Sequence, residues 1–145
     1  MSLKRFHEAQ NRDYDCALRE IMNGRKLTHW MWYIFPQLKG MGNSSISQYY
    51  AIDSFAEARE YLDDALLQKR LVRISEALLE LDERDPVRIF GETDARKLCS
   101  CMTLFSLVTD HIEVFQNVLD QYFQGRRCPF TCKAFQNELH SRDHK

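Results

Sequence analysis

Apolar side chains recur at spacings of three and four along almost the whole chain, a period that fits α-helices and no other regular element. Tyr14, Ala17, Leu18, Ile21 and Met22 make a one-sided stripe, and Gly24 is a natural stop behind it. Ser54-Phe55-Ala56-Glu57 is a capping box, in which hydroxyl and carboxylate satisfy free amides at a helix start; it predicts a helix reaching about Asp63. Leu67, Leu71, Ile74, Leu78 and Leu81 then form a long core-facing stripe. Asp85-Pro86 reads as cap plus first-turn proline, with Gly91 ending that short helix. Thr93 or Asp94 is expected to cap the next helix, whose inner face is Leu98, Met102, Phe105 and Val108. Ile112, Phe115, Leu119 and Tyr122 come next and are closed by Gly125, and Pro129 opens a last helix with Phe135 and Leu139 inward. No segment alternates with a period of two, and no Asn-Gly or Asp-Gly marks a hairpin. The expectation is an all-α fold, a compact single-domain bundle of about seven or eight helices over 1–145, with residues 140–145 a polar, frayed tail.

Size and charge narrow the class further. A chain of 145 residues holds one good core. With 44% hydrophobic and 28% charged residues it is built to fold. No apolar run approaches the ~20 residues of a membrane span. Met1-Ser2-Leu3-Lys4-Arg5 lacks an apolar signal region, which points to the cytoplasm. The formal net charge of -1 argues against a dedicated nucleic-acid protein, whose affinity comes from neutralising phosphates. The five cysteines, Cys16, Cys99, Cys101, Cys128 and Cys132, are an odd number and contain no CxxC pair, so they read as small buried residues and not as disulfides or a metal site. No cofactor fingerprint, Ser–His–Asp order, paired-carboxylate signature or HExxH is present.

Residues 24–50 break the pattern. Between Glu20 and Asp53 there is no acid, while Arg25, Lys26, His29 and Lys39 share the stretch with both tryptophans and the loop Gly40-Met41-Gly42-Asn43-Ser44-Ser45. Thr28 can cap a short aromatic helix that Pro36 ends by forcing Phe35 toward an extended conformation. Two readings compete. In one, the rings of 29–35 are core and the glycines turn the chain. In the other, loop amides freed by Gly40 and Gly42, the hydroxyls of Ser44 and Ser45, and unneutralised charge on Arg25, Lys26 or Lys39 hold a phosphate or carboxylate, with Trp32 stacking a flat ring. Gly-x-Gly-x-x-Ser follows no strand and is not a dinucleotide fingerprint.

The block His29-Trp30-Met31-Trp32-Tyr33-Ile34-Phe35-Pro36-Gln37 resembles the HWMWFIFPQ hallmark of the bacterial family called domain of unknown function 1810. The likeness extends from Phe6…Ala9-Gln10, through Ala17-Leu18…Gly24-Arg25-Lys26, Ile89-Phe90-Gly91 and Met102-Thr103-Leu104-Phe105, to Phe115…Tyr122-Phe123…Gly125-Arg126-Arg127. It implies an all-helical fold and no established activity. The label "calpastatin" borne by some relatives gains no support, since calpastatin inhibitory segments are disordered and this chain is patterned to fold. Three departures stand out. Leu98-Cys99-Ser100-Cys101-Met102 replaces a Leu-Arg-Ser-Ser-Met pattern. Asp63-Asp64-Ala65 stands where Ala-His-Pro is common and reads as charged surface. Cys128-Pro129 replaces Asp-Pro, which implies a lost helix cap.

His29 is the candidate acid or base, because an imidazole titrates near neutral pH. Arg25, Lys26, Trp32, Gln37, Lys39, Ser44, Lys97 and Arg126 are the candidate ligand-binding residues, Arg126 with Arg127 as an anion clamp. Each has a plain alternative: His29 hydrogen-bonded at a helix start, Gln37 pairing backbone around Pro36, Lys97 solvated, Arg126-Arg127 complementing a helix C-terminus, and Ser100 and Thr103 bonded to the preceding turn. The leading expectation is a helical pocket for a phosphorylated or nucleotide-like small molecule, with acid/base chemistry on it left open. The alternatives are an interaction module using the aromatic 29–37 segment, or a weak nucleic-acid binder.

Overall fold

The computed structural model describes residues 3–143, which form α1 (Lys4–Met22), α2 (Met31–Ile34), α3 (Ser45–Tyr50), α4 (Phe55–Asp63), α5 (Ala65–Leu79), α6 (Pro86–Phe90), α7 (Glu92–Val108), α8 (Val114–Phe123) and α9 (Pro129–Asp143). That is nine helices among the described residues, against seven or eight expected, because 24–50 contributes two short ones. The nearest approach to a strand among those residues is a single parallel bridge between Leu38 and Ile52.

Central α7 packs against α4, α6, α8 and α9. Its sequence suits that place: Leu98, Cys101, Met102, Leu104 and Phe105 are all sealed, so the helix is apolar well beyond one stripe. Ser100 and Thr103 are also buried, and their hydroxyls lie 3.2 Å from Arg96 O and 2.7 Å from Cys99 O, bonded to the preceding turn. On the other side, α5 lies between α1 and α8. Its Leu67, Leu71, Ile74 and Leu78 are the inward stripe read from the sequence. Tyr61 joins the halves, edge-on to Phe6 of α1 and tilted against Phe105 of α7.

Helix ends obey local chemistry with four adjustments. Ser54 accepts from the Glu57 amide at 3.1 Å, but the Glu57 carboxylate returns to the Asp53 amide, one residue before the cap. Asp64 caps α5 by accepting from the Leu66 and Leu67 amides, so it is a structural acid and not simply surface charge. Neither Thr93 nor Asp94 caps α7: the helix begins at Glu92 with Gly91 at φ +80 as its cap, and Asp94 falls in the first turn. Leu139, expected inward, is 42% exposed; Phe135 does pack, edge-on to Phe55. The last helix continues to Asp143, beyond the point where a frayed tail is expected to begin, and 144–145 lie outside the described residues.

Candidate functional site

The chain from 23 to 53 is the candidate site, and a Schellman turn at the end of α1 launches it. Gly24, at φ +82, sends its amide to Ile21 O, and the Arg25 amide reaches Glu20 O at 3.1 Å. The Glu20 side chain then organises the turn that leads into α2. Its Oε1 accepts from the Leu27 amide at 2.6 Å, the Thr28 amide at 3.0 Å and the Trp30 indole at 3.0 Å. Its Oε2 accepts from the Thr28 hydroxyl at 2.6 Å and the Cys16 thiol at 3.3 Å. Burial pushes this carboxyl up, but those hydrogen bonds outweigh it and bring it down to about 2. Thr28 therefore serves Glu20, and Trp30 occupies the cap position of α2.

The expected unneutralised charge is gone at Lys26 and Lys39, where acids from outside the segment fold back onto it, while Arg25 stays exposed. Lys26 lies 3.0 Å from Asp94 and donates to Thr28 O. Lys97 is 3.5 Å from the same carboxylate. Both ammonium groups sit over indoles, Lys26 at 5.1 Å from Trp30 and Lys97 at 5.2 Å from Trp32. Trp32, the half-buried ring expected to stack a ligand, is thus already covered on one face by Lys97. Trp30, Met31, Tyr33, Ile34 and Phe35 are core. An interaction surface built from the rings of 29–37 is therefore reduced to Trp32. Exposed His29 presents its carbonyl to the Tyr33 hydroxyl at 3.3 Å.

Beyond Pro36 the chain runs beside 51–53. Ile52 N donates to Gln37 O at 2.8 Å, and Lys39 N to Ile52 O at 2.9 Å. Beneath this bridge lies a buried ion pair: Arg5 is 2.9 Å from Glu57 and donates to Ala51 O at 2.9 Å. The same Glu57 oxygen accepts from the Asp53 amide, so the 51–53 side of the bridge is tied to α1 and α4 on both flanks of Ile52.

Between this frame and α3 is a cavity of about 180 Å³ lined by Gln37, Leu38, Lys39, Gly40, Gly42, Ser47, Gln48 and Ala51. Gly40 sits at φ +101, a conformation that L side chains rarely adopt, and a Cβ there would come 3.0 Å from the Phe130 ring. Gly42 is tighter still, since its Cβ would lie 2.7 Å from that of Ser47. Ser44 is adjacent but occupied, capping α3 through the Ser47 amide and donating to the Ser47 hydroxyl. Lys39 pairs at 3.1 Å with Asp53, both largely exposed.

Of the candidate residues, Gln37 and Lys39 meet at the cavity. Lys26, Trp32 and Lys97 gather around Asp94. Arg25 is exposed at the Schellman turn, and Arg126 is exposed after α8; neither lines the cavity, nor does His29. Sequence reading misses Glu20, Arg5, Glu57, Asp94, Ser47 and Gln48. The one signal available is that Glu20 and Asp53 bracket the acid-free stretch.

Fold and site together define a small all-helical domain with a polar cavity beside its aromatic segment. The structure closely matches the crystal structure of the conserved hypothetical protein Rv1873 from Mycobacterium tuberculosis, with TM-score 0.87 and 41% identity over 89% of this chain and 92% of that one. No curated protein matches the sequence. The family model for "Protein of unknown function (DUF1810)" matches residues 1–135, and the chain belongs to that family. No described helix is long and apolar enough to cross a membrane.

Proposed function

We propose that this protein binds the anionic group of a small metabolite, a phosphoryl or carboxylate, in the Gln37–Gly42/Ser47 cavity. The observation carrying this reading is the lining itself: a side-chain amide from Gln37 and another from Gln48, the Ser47 hydroxyl and the Lys39 ammonium around glycines whose missing side chains keep the space open. A volume of about 180 Å³ lies below the ~300–1,000 Å³ of pockets that swallow whole drug-sized ligands. It suits the anionic end of a metabolite better than a complete nucleotide. The Lys39–Asp53 pair is exposed and screened by solvent, so Lys39 can exchange partners at little cost. With His29 outside the cavity, the reading favours binding over acid/base catalysis.

A thermal-shift series with inorganic phosphate, sulfate, acetate and small sugar phosphates tests it. A ligand at a hundred times its dissociation constant adds ~2.7 kcal/mol of stability. Stabilisation lost in Lys39→Ala and Gly42→Ala, and kept in Arg126→Ala, supports the cavity. No stabilisation by any of these anions sinks it.

A protein partner is the second reading, carried by Met41, Ile46, Tyr49 and Phe130, which are exposed on the loop, α3 and the start of α9. Pairing of this patch with another surface predicts that Tyr49→Ser weakens an association seen in sedimentation. A chain that is monomeric at all accessible concentrations removes self-association as its form.

A further inference from the structure

Given the anion-binding reading of the Gln37–Gly42/Ser47 cavity, on which this rests, we infer that its ligand is a small zwitterion: an α-amino acid the size of glycine, alanine or serine, with its carboxylate on Lys39 and Ser47 and its ammonium on Asp53. Charge is the reason. Lys39 is the cationic side chain of the cavity wall, and its ammonium lies 3.1 Å from Asp53 Oδ1. The other polar side chains of the wall, Gln37, Ser47 and Gln48, are neutral. The mouth therefore presents one positive and one negative charge in contact, and they sum to zero. A simple anion arriving at Lys39 meets the Asp53 carboxylate as well, and like charges that close repel. A ligand with a carboxylate and an ammonium on neighbouring carbons meets the same pair with opposite signs aligned at both ends.

Both charges are available to such a ligand. The side chains of Lys39 and Asp53 are 63% and 62% exposed, so each trades a solvent-screened partner for one in the ligand. Their backbones stay side by side whatever the charged groups do. The Asp53 amide is held by Glu57 Oε1 at 2.9 Å, and the Lys39 amide by Ile52 O at 2.9 Å.

The neutral lining fits the same ligand. Ser44 donates its hydroxyl hydrogen to Ser47 Oγ at 2.8 Å, which leaves the Ser47 hydrogen to donate to a carboxylate. Gln48 commits an Nε2 hydrogen to Asn43 O at 3.2 Å and keeps Oε1 as an acceptor, the kind of group an ammonium needs. Leu38 and Ala51 give the cavity an apolar wall against which a methyl or hydroxymethyl side chain can pack. At ~30 Å³ per water, the volume of about 180 Å³ holds about six water-sized groups, which is the size of a small amino acid.

The test follows the amide shifts of the ¹⁵N-labelled chain during separate titrations with L-alanine, L-lactate and inorganic phosphate. Lactate has the carboxylate and shape of alanine but a hydroxyl in place of the ammonium. Alanine should saturate the shifts at Gly40, Gly42, Ser47 and Gln48 with a dissociation constant about fivefold below that of lactate, which is what an exposed ion pair can supply. Asp53→Asn and Asp53→Ser keep the main-chain amide that Glu57 holds, and both should erase the preference while lactate still binds. Lys39→Ala should weaken alanine and lactate alike. Equal affinity for alanine and lactate, or a preference for alanine that survives in both position-53 variants, overturns the inference, and lactate or phosphate binding then still upholds the anion-binding reading. No saturable shift from any of the three probes overturns both.

Discussion

Replacing Glu20 by Gln isolates the carboxylate on which the 24–30 turn is built. The substitution keeps size and one acceptor oxygen, but turns three bonds to Oε1, from Leu27 N, Thr28 N and Trp30 Nε1, from charge-assisted to neutral. Charge assistance is worth ~1 kcal/mol per bond, so the loss should be about 3 kcal/mol. The titration leads to a similar figure. The carboxyl falls from an ordinary 4.5 to about 2 on folding, and at ~1.36 kcal/mol per pH unit that is about 3 kcal/mol. For a chain of 145 residues this corresponds to a melting point about 10 °C lower. Because the folded value is depressed, the contribution is complete above the unfolded value of 4.5 and is lost as pH falls through about 2. Denaturant melts of parent and Glu20→Gln should therefore differ by about 3 kcal/mol at neutral pH and by roughly 1 kcal/mol at pH ~3. A gap of equal size at both pH values, or no gap at neutrality, refutes the argument that this carboxylate organises the turn.

The ion pair under the cavity makes a second prediction: Glu57→Gln removes the charge paired with the buried Arg5 guanidinium and should cost ~3 kcal/mol in a urea melt. Gly42→Ala forces its new methyl onto Ser47 and should cost ~1–3 kcal/mol while closing the cavity, so that anion-induced stabilisation disappears although the fold survives. Asp64→Ala removes the cap of α5 and its contact with His7, and should lower stability by ~1–2 kcal/mol at neutral pH in the same melt.

Local punctuation is legible in the sequence. Ser54, Asp85, Gly24, Gly91 and Gly125 start or stop helices where their chemistry requires, because caps and positive φ act over four or five residues. Pairings across the fold are not legible. Lys26 with Asp94, Arg5 with Glu57 and Lys39 with Asp53 are set by which helices pack together, which no periodicity encodes. The acid-free stretch therefore looks like free positive charge in the sequence, whereas in the fold Lys26 and Lys39 are neutralised from other elements and, among the described residues, Arg25 alone of the three stays exposed without an acidic partner. The sequence misplaces Leu139 because α9 has little amphipathic contrast, so its inner face has no clear signal.

The most direct test of the cavity is a titration of the ¹⁵N-labelled protein with inorganic phosphate, monitored by amide chemical shifts. The account predicts saturable shifts concentrated at Gly40, Met41, Gly42, Ser47 and Gln48, and their loss in Gly42→Ala. Saturable shifts centred instead on Arg25 or Arg126, or none at all, would contradict it.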